Sequence, residues 1–311
     1  GIEEILPPYA GGLETLRRNA LDVFEVWGYD LVLPPIMEYL ESLLVGTGED
    51  LALQTLKVID QDTGRLMGLR ADMTPQVARI DARYLGRDGD PVRLCYAGTV
   101  LHSQAETMHA SRTPLQAGAE LYGFGGVEGD IEIIALMCAL LRQLGLTEVV
   151  VELGHSGVYA ALTGALRLSE SAELSLFAAL QAKSMTDLTA LVSGLDIAAP
   201  EREALLALPG LNGGPEVLDQ AREVIGQGSV GLVAAIDELA ELVNGLHARL
   251  PGLTLHVDLA ELRGYRYHGG TVFAAFAAGI GHEVARGGRY DQAAAVFDRS
   301  RELHITLWEG G

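Results

Sequence analysis

Lysine is nearly absent from this sequence: Lys57 and Lys183 are the two among 311 residues, and almost all other basic groups are arginine. No G-x-x-x-x-G-K-[ST] loop occurs, which removes the P-loop nucleotide-binding class. Cysteine is as scarce. Cys95 and Cys138 make no metal or redox spacing and read as small buried hydrophobes, with a disulfide between them as the alternative. No stretch approaches the roughly 18 uninterrupted apolar residues that a membrane-spanning helix needs, despite a mean hydropathy of +0.21. Positive charge is in deficit, 22 basic against 42 acidic residues for a net charge of −20, an unfavourable field for a nucleic-acid backbone. The opening residues carry Glu3 and Glu4 with no basic leader before an apolar run, so a soluble, cytoplasmic chain is expected. The eight histidines form no H-x-H or H-E-x-x-H pair, and no G-x-S-x-G elbow accompanies His155-Ser156, so neither a metal site nor a hydrolase triad is expected.

What is present is a packed core, with 49% hydrophobic and 21% charged residues. Leu13, Leu16, Ala20, Phe24 and Trp27 recur at a helical period closed by Gly28. Residues 30–35 read as a strand, and 55–70 as a hairpin, TLKVID and RLMGLR, around the turn at 61–64. Thr74 and Pro75 read as an N-cap and first-turn proline for a helix stopping near Gly86, which leaves Asp72 just outside it. Strands follow from Val92 and from Leu115, separated by a polar loop holding Glu106, His109 and Arg112. A buried helix then ends at Gly145, and TEVVVELG from Thr147 is a further strand. Residues 154–252 are leucine- and alanine-rich at helical spacing; Leu232, Ile236, Leu239, Val243 and Leu246 share one face and read as a core stripe. Strand signals return from Leu253, Thr271 and His282. The expected class is α+β, an antiparallel sheet flanked by helices, with 1–153 and 253–311 as the core and 154–252 as a helical insertion.

The segment from Gly123 to Gly129 imitates a dinucleotide fingerprint, but its third glycine falls one position late and no strand-helix-strand unit surrounds it, so it reads as a connecting turn. A scattered polar set inside apolar strands is more informative: Arg70 and Asp72, Gln116 and Glu120, Arg263, Tyr267 and His268. Alternation puts Gln116 and Glu120 on one face of a strand with small residues between them. That describes either the floor of a polar pocket or a solvent-exposed strand face.

RADMTPQVARIDA from Arg70, CYAGTVLHSQAETMHASRTPLQAGAELYG from Cys95, LRGYRYHGGTVFAAF from Leu262 and GGRYD from Gly287 resemble the catalytic core of histidyl-tRNA synthetases. The resemblance is closer still to the synthetase-like regulatory subunits of ATP phosphoribosyltransferase. It implies a class II synthetase fold that dimerises through its core. Carried over residue by residue, it sets Asp72 and Thr74 against the α-amino group of histidine, Gln116 near the amino and carboxylate groups, and Glu120 on the imidazole. Arg263 would pair with the carboxylate, and Tyr267 with His268 would stand on the imidazole side.

Departures from the synthetase pattern point to the regulatory branch. His102 stands where a synthetase has the arginine that grips the ATP α-phosphate, and Gln104 where it has an acid. The residues after Asp291 lack the glycine-rich strand and arginine of the third synthetase motif, no anticodon-binding domain follows, and a shortened end is expected. The resemblance therefore implies a non-catalytic partner of the short-form catalytic ATP phosphoribosyltransferase subunit, in a hetero-octamer, with L-histidine as effector and no cofactor. The alternatives are a divergent histidine-activating synthetase and a stand-alone histidine-binding module.

Overall fold

The computed structural model describes all residues except 1, 3, 45–48, 86–89, 106–110, 165, 167, 226–229, 263–268, 291–301 and 309–311. It forms two compact units, Gly1–Glu148 with Ala277–Gly311, and Val149–Phe276. The first begins with α1 (Tyr9–Val26), β1 (Asp30–Leu31), β2 (Met37–Tyr39), α2 (Leu40–Leu43), α3 (Glu49–Gln54), β3 (Leu56–Ile59), β4 (Leu66–Leu69), α4 (Thr74–Ile80), β5 (Val92–Thr99), β6 (Leu115–Tyr122) and α5 (Val127–Gln143). The second contains β7 (Val149–His155), α6 (Ser156–Thr163), α7 (Glu170–Gln181), α8 (Met185–Ser193), α9 (Ala199–Ala207), β8 (Asn212–Gly213), α10 (Val217–Val224), α11 (Val230–Arg249), β9 (Thr254–Asp258) and β10 (Thr271–Ala277). The chain returns to the first unit with β11 (Glu283–Arg289) and β12 (Glu302–Trp308).

In the first unit the main strand order is β1-β5-β6-β12-β11. β5 and β6, β6 and β12, and β12 and β11 pair antiparallel, while the short β1 runs parallel to β5. The 30–35 strand is reduced to Asp30–Leu31, because Pro34 and Pro35 have no N–H to give a ladder. The 55–70 hairpin forms as β3 and β4, with β2 completing a small antiparallel sheet. Its turn is tied by Asp60, whose carboxylate accepts from the Thr63 hydroxyl at 2.5 Å and the Asp62 N–H at 3.3 Å. Residues 302–308, unassigned from sequence, form the strand between β6 and β11. The alternation of Leu303, Ile305 and Leu307 with His304 and Thr306 was the available sign.

The α4 cap differs from the sequence expectation. Met73 occupies the N-cap position in a helical conformation, its own side chain makes no capping bond, and Thr74 is the first helical residue. The Thr74 hydroxyl is buried against β5 and bonds to a phenol there, leaving the Asp72 carboxylate to accept the Thr74 N–H at 2.9 Å. Below this turn, Met73, Val77, Ala78, Leu94, Tyr96, Val100 and Tyr122 form one buried apolar cluster. Burying each of its larger members contributes about 1.5–3 kcal/mol.

Two ion pairs fasten α5 to the sheet. Arg93 grips Glu132 with two bonds of 2.7 Å, and the Tyr29 hydroxyl donates to the same carboxylate at 2.9 Å. Burial, then the Glu132 charge, pushes the Tyr29 phenol up from its ordinary range. Arg289 pairs with Asp130 in the first turn of α5 and also donates to the Gly126 carbonyl at 3.1 Å. Cys95 and Cys138 are free and buried, their thiols pushed up to about 12 and about 11, mainly by desolvation.

The second unit orders its strands β10-β7-β9-β8, with β7 and β9 parallel because a helical crossover separates them. Leu232, Ile236, Leu239, Val243 and Leu246 of α11 are all buried, as a core stripe should be. The Lys183 ammonium meets Asp258 at 2.5 Å, and His155 caps α6 by accepting the Gly157 N–H at 3.0 Å. Among the described residues no helix is long and apolar enough to cross a membrane.

Both charges of the Arg289–Asp130 pair are buried. Arg289→Ala, which strands a buried carboxylate, is expected to cost about 3–5 kcal/mol in urea unfolding. A loss below about 1 kcal/mol would mean that Asp130 does not depend on this arginine.

Candidate functional site

The register of β5 and β6 builds the site. Tyr96 stands opposite Gly118, Gly98 opposite Gln116, and Leu94 opposite Glu120. Opposed residues share a face of the sheet, and the two-residue period keeps Gln116, Gly118 and Glu120 together on it. Gln116 and Glu120 are both 0% exposed, which excludes the solvent-exposed alternative for this face.

A Cβ at Gly118 would lie 2.4 Å from the Tyr96 hydroxyl and 2.5 Å from Cζ. The bare position lets the Tyr96 ring lie across β6 and donate to Glu120 Oε1 at 3.0 Å. Thr74 Oγ1 is 3.0 Å from the same phenol oxygen. A phenol has one proton, and Tyr96 gives it to Glu120, so the Thr74 hydroxyl is the donor to Tyr96. The chain Thr74–Tyr96–Glu120 thus links the entry of α4 to the sheet.

A second chain lies beside it. Asp72 Oδ1 accepts from the Thr74 N–H and from Gln116 Nε2 at 2.7 Å, while Gln116 Oε1 accepts the Met73 N–H at 2.9 Å. A carboxylate on one end and an N–H on the other fix which way the Gln116 amide faces. Asp72 is half-buried, Thr74 buried. The structure therefore brings four of the predicted residues, Asp72, Thr74, Gln116 and Glu120, into one network. Two carboxylates, an amide and a hydroxyl held this way suit a ligand with an ammonium and further N–H groups. Arg263, Tyr267 and His268 lie outside the described residues.

Tyr96 was missed from sequence, although a glycine inside a strand signals close approach by a neighbour. His102, at the synthetase arginine position, is 3% exposed, and its Nε2 is 3.1 Å from the Ala71 carbonyl. Facing a carbonyl, that nitrogen carries the proton, and the ring secures the backbone just before Asp72. It supplies no fixed cation for a phosphate. The glycine-rich 123–129 segment turns the carbonyls of Phe124 and Gly126 toward Arg289, the opposite polarity to an amide cradle for phosphate. It is the connecting turn that its spacing indicates.

A helix-entry turn folded over an antiparallel sheet, with the polar network between them, defines a protein of the class II aminoacyl-tRNA synthetase type. The family profile of histidyl-tRNA synthetase matches residues 1–303. An ATP phosphoribosyltransferase regulatory subunit of Thioalkalivibrio sulfidiphilus is 52% identical over 301 residues, covering 97% of this chain and 76% of that one. The crystal structure of an ATP phosphoribosyltransferase regulatory subunit/histidyl-tRNA synthetase from Bacillus halodurans C superposes with a TM-score of 0.88 at 28% identity, over 99% of this chain and 80% of the other. The ATP phosphoribosyl transferase (HisG:HisZ) complex from Thermotoga maritima shares the fold with a TM-score of 0.71 at 15% identity, over 94% and 96%. This chain belongs to the histidyl-tRNA synthetase family, in its branch of ATP phosphoribosyltransferase regulatory subunits, and is a non-catalytic member of it.

The network makes a local prediction. Tyr96→Phe removes the bridge between Thr74 and a buried carboxylate and is expected to cost about 1–3 kcal/mol in urea unfolding. Gly118→Ala, which drives a methyl into the Tyr96 ring, is expected to cost a similar ~1–3 kcal/mol. Unchanged unfolding midpoints in both variants would contradict the contact.

Proposed function

We propose that this chain activates a short-form catalytic ATP phosphoribosyltransferase subunit for the first step of histidine biosynthesis, and that L-histidine bound on the β5–β6 face feeds back on that activity. One observation carries the reading. The network of Asp72, Thr74, Gln116 and Glu120 is intact while His102 is spent on the Ala71 carbonyl. Amino-acid contacts are kept and the phosphate grip is gone, so a ligand can be sensed without being activated. Asp72 and Thr74 take the α-amino group, Gln116 the amino and carboxylate groups, and Glu120 the imidazole. The family resemblance assigns the carboxylate to Arg263 and the imidazole side to Tyr267 and His268, all three outside the described residues.

The Thermotoga maritima complex, which carries the same fold, supports a catalytic partner chain. The assembly is a cytoplasmic hetero-octamer without a cofactor, its core homodimeric, with 1–153 and 253–311 as that core and 154–252 as the insertion. The exposed apolar residues Leu31, Leu33, Ile36 and Met37 near β1 and β2 support self-association of the first unit. Feedback requires histidine to bind two states of this assembly with different affinities, because a ligand with equal affinity for both shifts neither.

Phosphoribosyl-ATP formation by the catalytic subunit should rise when this chain is added and fall again with histidine. No rise with a cognate catalytic subunit would contradict the activating role. Glu120→Ala should abolish the histidine effect, at about 1.5–3 kcal/mol per lost charged hydrogen bond, and calorimetric affinity equal to wild type would place the histidine site elsewhere.

A further inference from the structure

The contacts assigned above leave one charged group on this face without a role. Arg70 is 8% exposed, and its guanidinium is held by backbone carbonyls, Nη1 to Pro34 O at 2.7 Å and Nε to Thr99 O at 3.0 Å. Among the described residues no carboxylate comes within 4.0 Å of it. Desolvation lowers its pKa, and among the described residues no acid offsets that effect. Carbonyl dipoles offset only part of the cost of burying a cation, so an anion placed here would be bound favourably.

The third arm of the guanidinium points to where that anion would sit. Nη2 stands over β5, 2.7 Å from where a Cβ on Gly98 would be. Gly98 is opposed by Gln116, and opposed residues share a face with Cβ positions about 4.5–5.5 Å apart. The Arg70 charge thus lies on the Gln116 side of the sheet, beside the amide of the proposed amino-acid site, and the missing side chain at position 98 makes room for it. We infer that Arg70 recognises the anionic end of the ligand, selecting an amino acid with a free α-carboxylate over the corresponding amine. The inference rests on the reading of this face as the histidine site and adds a specificity-determining residue to it.

The test is isothermal titration of histidine, and of histamine, which lacks the carboxylate, into the full chain and into Arg70→Gln and Gly98→Ala, with thermal melts confirming that each is folded. The wild-type chain should prefer histidine. In Arg70→Gln histidine affinity should fall roughly ten- to hundredfold while histamine affinity holds, so the preference narrows by that factor without vanishing, because the carboxylate contact proposed for Arg263 is untouched. Gly98→Ala keeps the charge but displaces Nη2, and should erode the preference in the same direction; it decides the question if Arg70→Gln does not fold. An undiminished preference for histidine in the folded variants overturns the role of Arg70 and leaves the histidine site standing. A wild-type chain that binds no histidine overturns the site reading itself, and the role of Arg70 with it.

Discussion

A carboxylate buried in the middle of a β-sheet has to be supplied with donors, and much of the first unit is arranged around supplying them to Glu120. A neighbouring strand can reach it only if the intervening position carries no side chain. Gly118 meets that condition, and Tyr96 crosses above it to donate to Glu120. Tyr96 in turn takes the Thr74 hydroxyl, which draws the start of α4 down onto the sheet and removes that hydroxyl from capping. Asp72 and Gln116 then satisfy the backbone of the same turn. The apolar cluster of Met73, Val77 and Leu94 fills the space between. The network is thus first a constraint on packing, and the histidine site we propose is built on it.

The same construction explains how a synthetase-type fold can lose chemistry and keep recognition. Amino-acid contacts are built from strand register and the helix-entry turn, which the fold itself depends on. Gripping a phosphate depends on an arginine at one position, and here that position holds a histidine whose ring bonds to the backbone at Ala71. The substitution removes a permanent cation while stabilising the turn that carries Asp72. The glycine-rich 123–129 turn is likewise structural, its carbonyls committed to Arg289.

Periodicity made most of the elements legible. The alternation of β5 and β6, the hairpin turn at 61–64 and the α11 stripe could all be read because each pattern is set by neighbours close in sequence. The site was legible only as a list: pattern put Gln116 and Glu120 on one face, but not in contact with Asp72 and Thr74. Tyr96 was not found because its role depends on which residue it opposes across the strands, a register that composition does not encode. The Thr74 cap failed for a related reason, since a tertiary partner outcompeted a local one. β12 alternates visibly in sequence, but seven residues of alternation do not show that they insert between two strands far away in the chain.

On the function proposed here this chain binds histidine without activating it. The most direct test is histidine-dependent exchange of pyrophosphate into ATP, run beside calorimetric histidine binding on the same preparation. Saturable histidine binding with no exchange above background is the expected result. Exchange that depends on histidine would contradict it and return the protein to the synthetases.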